Sequence, residues 1–150
     1  MNNQHKQIQE MATFLGIVSQ LYTTRMEQLL RHHQLTLSQL SLLSHLSRSE
    51  QREHTISELT AAMEINQPGV TKLVQRLEAQ NLIAVQASPF DSRKKLVSIT
   101  ALGYETFQNT VLALAPDTTR WFADWDREEC ARFLQSLQKL AAWLDENRLG

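Results

Sequence analysis

T-I-S-E-L-T-A-A-M-E-I-N-Q-P-G-V-T-K-L-V-Q-R-L-E-A-Q-N-L-I runs from Thr55 to Ile83, and A-V-Q-A-S-P-F-D-S-R-K-K-L-V-S-I-T continues it to Thr100. The spacing predicts helix, turn, helix, then a two-stranded ribbon with a charged tip. Thr55 and Glu58 have the spacing of a capping box, in which each side chain serves the other's backbone N–H. Ile56, Leu59, Ala62 and Met63 follow as one apolar face, and Glu64-Ile65 turns the chain. Asn66 is a good N-cap for the second helix. Pro68 falls in its first turn, where a missing N–H costs nothing. Val70, Leu73, Val74 and Leu77 recur at helical spacing and predict a buried stripe. The opposite face carries Pro68, Thr71, Lys72, Gln75 and Arg76, with Gln67 near its tip. It reads as two cations, several hydrogen-bonding groups and no carboxylate, which is what base edges in a major groove require.

Asn81 tolerates the left-handed conformation that ends many helices. Leu82, Ile83 and Val85 then begin a strand, and Leu96, Val97 and Ile99 form its return partner. Ser88 to Lys95 is a turn-rich tip. Lys72, Arg76, Lys94 and Lys95 would also suit an ordinary solvated face. Local charge favours contact with a polyanion. Residues 66–99 hold five Lys/Arg and two Asp/Glu, net +3, in a chain whose total is −1.

The helix-turn-helix run, the wing D-S-R-K-K and the exit L-V-S-I-T-A-L-G resemble the MarR family of bacterial transcription regulators. The resemblance is most specific over Thr55–Gly103, and the order and length of the flanking helices extend it over nearly the whole chain. It implies a mainly α fold. A winged helix-turn-helix with a two-stranded β-wing, at about residues 36–100, would be flanked by dimerisation helices at about 1–35 and 101–150. It also implies that Arg93 enters the minor groove and that Asp91, two residues earlier, orients it. A narrow minor groove has an enhanced negative potential that attracts an inserted Arg. Asn81 departs from the pattern, since many relatives have Gly there.

At 150 residues the chain is expected to form one domain with its own core. Hydrophobic residues make up 42% and charged residues 21%, as in an ordinary globular protein. One cysteine excludes an internal disulfide and fits a reducing cytoplasm. The N-terminus lacks the apolar run of a signal peptide, and no segment has the apolar length of a membrane span.

Outside the central stretch, about Lys6 to His32 reads as one long helix. Its stripe of Ile8, Met11, Leu15, Val18, Tyr22 and Leu29, widened by Phe14, Ile17, Leu21, Met26 and Leu30, exceeds what one small winged domain can cover. Leu35 to Leu46 is the next helix, with a capping box at Thr36 and Gln39. Ser47 to His54 is a polar connector, read as a surface loop or frayed helix end. Free N–H groups at the starts of the helices at Thr36 and Thr55 favour anions, which makes Ser38, Gln39 and Ser57 candidates for phosphate contact. Thr100 caps a helix running to about Ala115, where Pro116 is expected to break or bend it. Asp126 and Glu129 open the last helix, with Cys130, Phe133, Leu134, Leu137, Leu140, Ala141 and Leu144 along one stripe. The resembled family dimerises through its first and last helices, and a two-fold dimer would read two half-sites of a palindromic operator.

Enzyme chemistry finds no motif: there is no Gly-rich phosphate loop, no G-x-S-x-G, no H-E-x-x-H and no H-R-D loop. No cofactor is expected. Some relatives bind zinc through paired His and carboxylate residues; His32, His45 and Glu105 could converge here, but no such pairing is evident in the sequence. Some relatives sense oxidants with a cysteine near the start of the first helix, which this chain lacks, so Cys130 reads as a small buried hydrophobe. Many relatives bind small aromatic or anionic effectors in a crevice, and helix order makes Tyr22, Arg25, His45 and Phe107 candidate lining residues, against a background of plain packing. The leading reading is a homodimeric regulator of double-stranded DNA, most simply a repressor. Its rivals are a metal- or redox-responsive regulator and a winged-helix module that binds protein.

Overall fold

The hydrogen bonds at the helix starts decide where the chain changes direction. The structure is a computed structural model and describes residues 2–149. In chain order the elements are α1 (Asn3–Leu30), α2 (Leu37–Arg48), β1 (His54–Thr55), α3 (Ile56–Met63), α4 (Gln67–Ala79), β2 (Ile83–Ala87), β3 (Lys95–Ile99), α5 (Ala101–Arg120) and α6 (Arg127–Glu146). Reciprocal capping boxes open α2 at Thr36/Gln39, α3 at Thr55/Glu58 and α6 at Asp126/Glu129. Asn66 Oδ1 accepts from Gly69 N–H at 2.8 Å and opens α4. Between α3 and α4, Glu64 takes the left-handed conformation with φ 56°. That single residue reverses the chain in the three positions separating the two helices.

The chain divides into two compact units, Met1–Val111 and Leu112–Gly150, and α5 runs from one into the other. In the first unit, α2, α3 and α4 pack around a small sheet. Leu42, Leu43, Leu59, Val70, Leu77 and Val97 are fully buried there. The apolar stripe of α4 is therefore spent on the core, and its polar face is left outside. From α1, Met26 and Leu30 are buried, whereas Ile8, Met11, Phe14, Leu15, Ile17, Val18, Leu21 and Tyr22 are exposed. In the second unit, Phe122, Trp125 and Phe133 pack with ring centroids 5.1–6.3 Å apart, and Leu134, Leu137, Leu140, Trp143 and Leu144 of α6 are exposed.

The sheet has three antiparallel strands in the order β1-β3-β2. The wing is the expected ribbon, with Val85 opposite Val97 and Ala87 opposite Lys95. The sequence reading leaves out β1. Its two residues, His54 and Thr55, pair with Val97 and Leu96. The connector thus ends inside the sheet, with His54 buried. The base of the wing is clamped. Thr100 N–H donates to Leu82 C=O at 3.1 Å, Thr100 Oγ1 donates to Asn81 C=O at 2.7 Å and accepts from Gly103 N–H at 2.9 Å. Asn81, at φ 60°, occupies the left-handed position that ends α4.

Pro116 does not break α5, which continues to Arg120. The ring removes one donor near the end of the helix, and the chain beyond it tightens. Trp121, Phe122 and Ala123 N–H groups bond three residues back, to Thr118, Thr119 and Arg120. Asp117 Oδ2 accepts from Trp121 Nε1 at 2.9 Å, tying that turn together.

Candidate nucleic-acid interface

With Val70, Leu73, Val74 and Leu77 turned into the core, Gln67, Pro68, Lys72, Gln75 and Arg76 are exposed on α4, and Thr71 is half-buried. The start of α3 and the wing tip meet this face. Together they form an open cleft of about 360 Å³. Thr55, Ile56 and Ser57 line it from the α3 start, Gln67, Thr71, Val74, Gln75 and Glu78 from α4, Val85 from β2, and Arg93, Lys94 and Lys95 from the tip.

Seven of the residues singled out in the sequence are therefore brought together: Ser57, Gln67, Thr71, Gln75, Arg93, Lys94 and Lys95. Asn66, Pro68, Lys72 and Arg76 lie on the same helix or its cap without lining the cleft, and the Oδ1 of Asn66 is engaged by the cap. Ser38 lies elsewhere, exposed in a separate cleft of about 450 Å³ with Arg31, His33, Gln34 and Thr36. Gln39 is buried and its Oε1 accepts from Thr36 N–H at 2.9 Å, so its side chain is committed to the capping box and does not reach out to a phosphate. The α4 face is also less purely basic than the sequence suggests. Glu78 lines the cleft, three residues beyond Gln75 and four beyond Val74, a spacing that places side chains on one helix face.

At the tip, Asp91 Oδ1 accepts from Arg93 N–H at 3.0 Å and stands 3.6 Å from Arg93 Nε. The Arg93 side chain is 93% exposed. Asp91 thus fixes both the backbone of Arg93 and the side on which its guanidinium starts, while the fold itself makes no use of that guanidinium.

Tyr22 and Arg25 are exposed on α1; His45 on α2 and Phe107 on α5 are half-buried. The ring of His45 lies 5.4 Å from that of His54. Burial first, then His54 and Arg48, hold the His45 imidazole below its usual range of protonation. His54 Nε2 lies 3.1 Å from Gln51 C=O, and its Nδ1 is 3.7 Å from Glu58 Oε2. Among the described residues, no three His, Cys, Asp or Glu side chains come together as a metal site, and His32, His45 and Glu105 do not converge as one. Cys130 is half-buried on α6 with a free thiol. No helix among the described residues is long and apolar enough to cross a membrane.

The MarR family model matches residues 33–94, from the approach to α2 through the wing tip. No curated protein matches the sequence significantly. Among solved structures, the chain is similar to the transcriptional regulator BldR from Sulfolobus solfataricus, with 20% identity and a TM-score of 0.76 over 95% of this chain and 99% of that one. It is similar to BpsR from Bordetella bronchiseptica, whose DNA binding is regulated by 6-hydroxynicotinic acid, with 24% identity and a TM-score of 0.72 over 88% and 98%. It is also similar to a cysteine-to-serine mutant of MarR from E. coli in complex with operator DNA, with 18% identity and a TM-score of 0.71 over 93% and 99%. The family match falls on the winged unit, and the likeness of fold extends through the helices on either side of it. Residues 33–94 thus match the MarR family model, and the chain as a whole has the winged-helix fold of these solved structures.

Proposed function

We propose that this protein is a homodimeric repressor that sets α4 in a major groove and the wing tip in the adjacent minor groove of a palindromic operator. The observation that carries the reading is the shared cleft, where the polar face of α4 meets Arg93, Lys94 and Lys95. Asn66, Gln67, Pro68, Thr71, Gln75 and Arg76 then serve the major groove, Asp91 and Arg93 the minor groove, and Lys72, Lys94, Lys95, Ser38 and Ser57 the phosphates. The operator DNA bound by the similar E. coli MarR supports the same choice of partner. The experiment is selection from a random duplex pool. Two inverted half-sites, with centres about 10–10.5 base pairs apart or a multiple of that, are expected. Recovery of no sequence preference defeats the reading.

Binding is expected to weaken steeply with salt, because Lys and Arg release counterions condensed on DNA. Lys72→Ala and Lys94→Ala should each weaken all duplexes alike and lower the salt slope by roughly one contact. An unchanged slope in either variant removes that residue from the phosphate contacts.

The dimer is supported by apolar surface in excess of what the chain covers. Met11, Phe14 and Leu21 on α1 and Leu134, Trp143 and Leu144 on α6 are all exposed. Large exposed apolar surface of this kind favours association. Sedimentation is expected to give a dimer at micromolar concentration. A well-folded monomer at high concentration is the contrary result. Release by a small aromatic or anionic effector through Tyr22, Arg25, His45 and Phe107 completes the proposal. It is supported by the effector-regulated BpsR and is tested by loss of the operator complex on titrating such compounds.

A further inference from the structure

Residues 88–94 hold their shape without the side chain at position 90. Ser88 N–H donates to Lys94 C=O at 2.8 Å, and Lys94 N–H donates to Asp91 C=O at 3.0 Å. Arg93 N–H donates to Asp91 Oδ1 at 3.0 Å, and Phe90 N–H donates to Ser88 Oγ at 3.3 Å. Turn tips of this kind favour Gly, Asn, Asp, Ser and Pro, each for a backbone reason. None of those reasons applies to a phenyl ring.

Yet the ring is there and is 97% exposed. Short of the C-terminal Leu149, the next most exposed large apolar side chain among the described residues is Leu112, at 68%. The exposed apolar residues of α1, α5 and α6 belong to runs along a helix, which another helix can cover. Phe90 belongs to no such run. Its neighbours at the tip are Ser, Pro, Asp, Arg and Lys.

We propose that Phe90 is a minor-groove wedge, an apolar contact that reads the deformability of the base step under the wing. This rests on the DNA-reading assignment above. Three residues of backbone span at most roughly 11 Å, and the turn at 91–94 shortens that reach. Phe90 therefore meets the same few base pairs as Arg93. Arg93, Lys94 and Lys95 beside it make the tip cationic, so a polyanion is the matching partner and an uncharged apolar surface is not. A minor groove offers both features together, phosphates along its rims and apolar sugar edges within. Phe and Pro are among the side chains that wedge between base steps there and partly unstack them, and Pro89 precedes the ring. Unstacking costs least at pyrimidine–purine steps. The wedge thus adds sequence preference at base pairs to which the protein donates no hydrogen bond.

The test uses the full chain and an operator duplex taken from the selected pool. Phe90→Ala is expected to weaken binding about tenfold, the scale of a lost aromatic–base contact. The salt slope should stay at the wild-type value, since no charge is removed. Phe90→Leu keeps an apolar wedge and should retain most of the affinity. Selection repeated with Phe90→Ala should lose the flexible step beneath the wing. A 2-aminopurine placed at that step should brighten on binding wild type and stay quenched with Phe90→Ala. Unfolding in urea should be unchanged, because the ring is outside the fold. Wild-type affinity in Phe90→Ala, with Arg93→Ala clearly weakened, overturns the wedge and leaves the DNA reading intact. Wild-type affinity in both overturns the two together. A slope lowered by about one contact in Phe90→Ala also overturns the wedge, because the loss would then come from displaced cations.

Discussion

Gly103→Ala is expected to lower the stability of the protein by about 3 kcal/mol, the upper part of the usual cost of overpacking. In most helices the same change is favourable by up to about 1 kcal/mol, because Gly is a poor helix former. Here the sign reverses. A Cβ at position 103 would run into the Leu82 C=O oxygen and lie 2.9 Å from its carbon. The obstacle is backbone, so no rotamer change relieves it. Nor can Leu82 move freely: its N–H donates to Leu77 C=O at 3.0 Å and its C=O accepts from Thr100. Shifting α5 outward instead would pull Gly103 N–H off Thr100 Oγ1. For a chain of this size the loss corresponds to a Tm lower by roughly 6–12 °C. Thermal or urea unfolding measures it, and a variant as stable as wild type would show that α5 does not approach Leu82 as closely as described.

Arg93→Ala should be the most damaging change to binding at the wing, with operator affinity falling roughly 10- to 100-fold, the scale of a specific Arg contact. The fold should be unaffected, since the side chain is 93% exposed. Lys at this position should serve poorly, because a compact and strongly hydrated ammonium is harder to bring into a groove than a weakly hydrated guanidinium. Asp91→Ala discriminates between two kinds of electrostatics. A carboxylate near phosphates repels them, so its removal alone ought to strengthen binding. A loss on removal means that Asp91 works through Arg93, by the backbone bond and the close approach to Nε. That loss should be smaller than for Arg93→Ala, and the two should be non-additive in a double-mutant cycle. Strict additivity, or wild-type affinity in Arg93→Ala, would refute this arrangement of the tip.

The sequence was most legible where one residue settles a local question. Thr36/Gln39, Thr55/Glu58 and Asp126/Glu129 announce capping boxes by their spacing, and all three are formed. Asn66 and Asn81 act as the helix start and stop that their chemistry favours. The mainly helical fold with a small wing follows from such punctuation together with the α4 stripe. What escaped depends on partners distant in the chain. A two-residue strand has no periodicity, so β1 is visible only through Leu96 and Val97. Pro116 reads as a breaker because its cost is local. The bonds at Trp121, Phe122 and Ala123 that accommodate the helix end belong to the following turn.

At the candidate site the convergence of α4 and the wing was legible, and the finer balance was not. Gln39 looked like a free polar group, although a capping-box side chain is by definition occupied. A face of α4 without a carboxylate omits Glu78, whose spacing from Val74 and Gln75 puts it there. In the sequence Phe90 is one letter of a turn-rich tip. Exposure is not a property of a letter, and a ring with no local role stands out only once its surroundings are known.

The clamp of Asn81, Leu82, Thr100 and Gly103 separates two properties that a hairpin usually ties together. With the two ends of the wing fixed at its base, the segment between them is a closed loop. The entropy of closing a loop grows only with the logarithm of its length, at about 0.6 kcal/mol for each doubling. Residues inserted at the tip would therefore cost the folded state little, while each added pair would carry the cations further from α4. The depth to which the wing reaches can drift over evolutionary time without disturbing the helices. In such a fold, length polymorphism between Ser88 and Lys94 changes the reach of the cationic tip and leaves the core untouched.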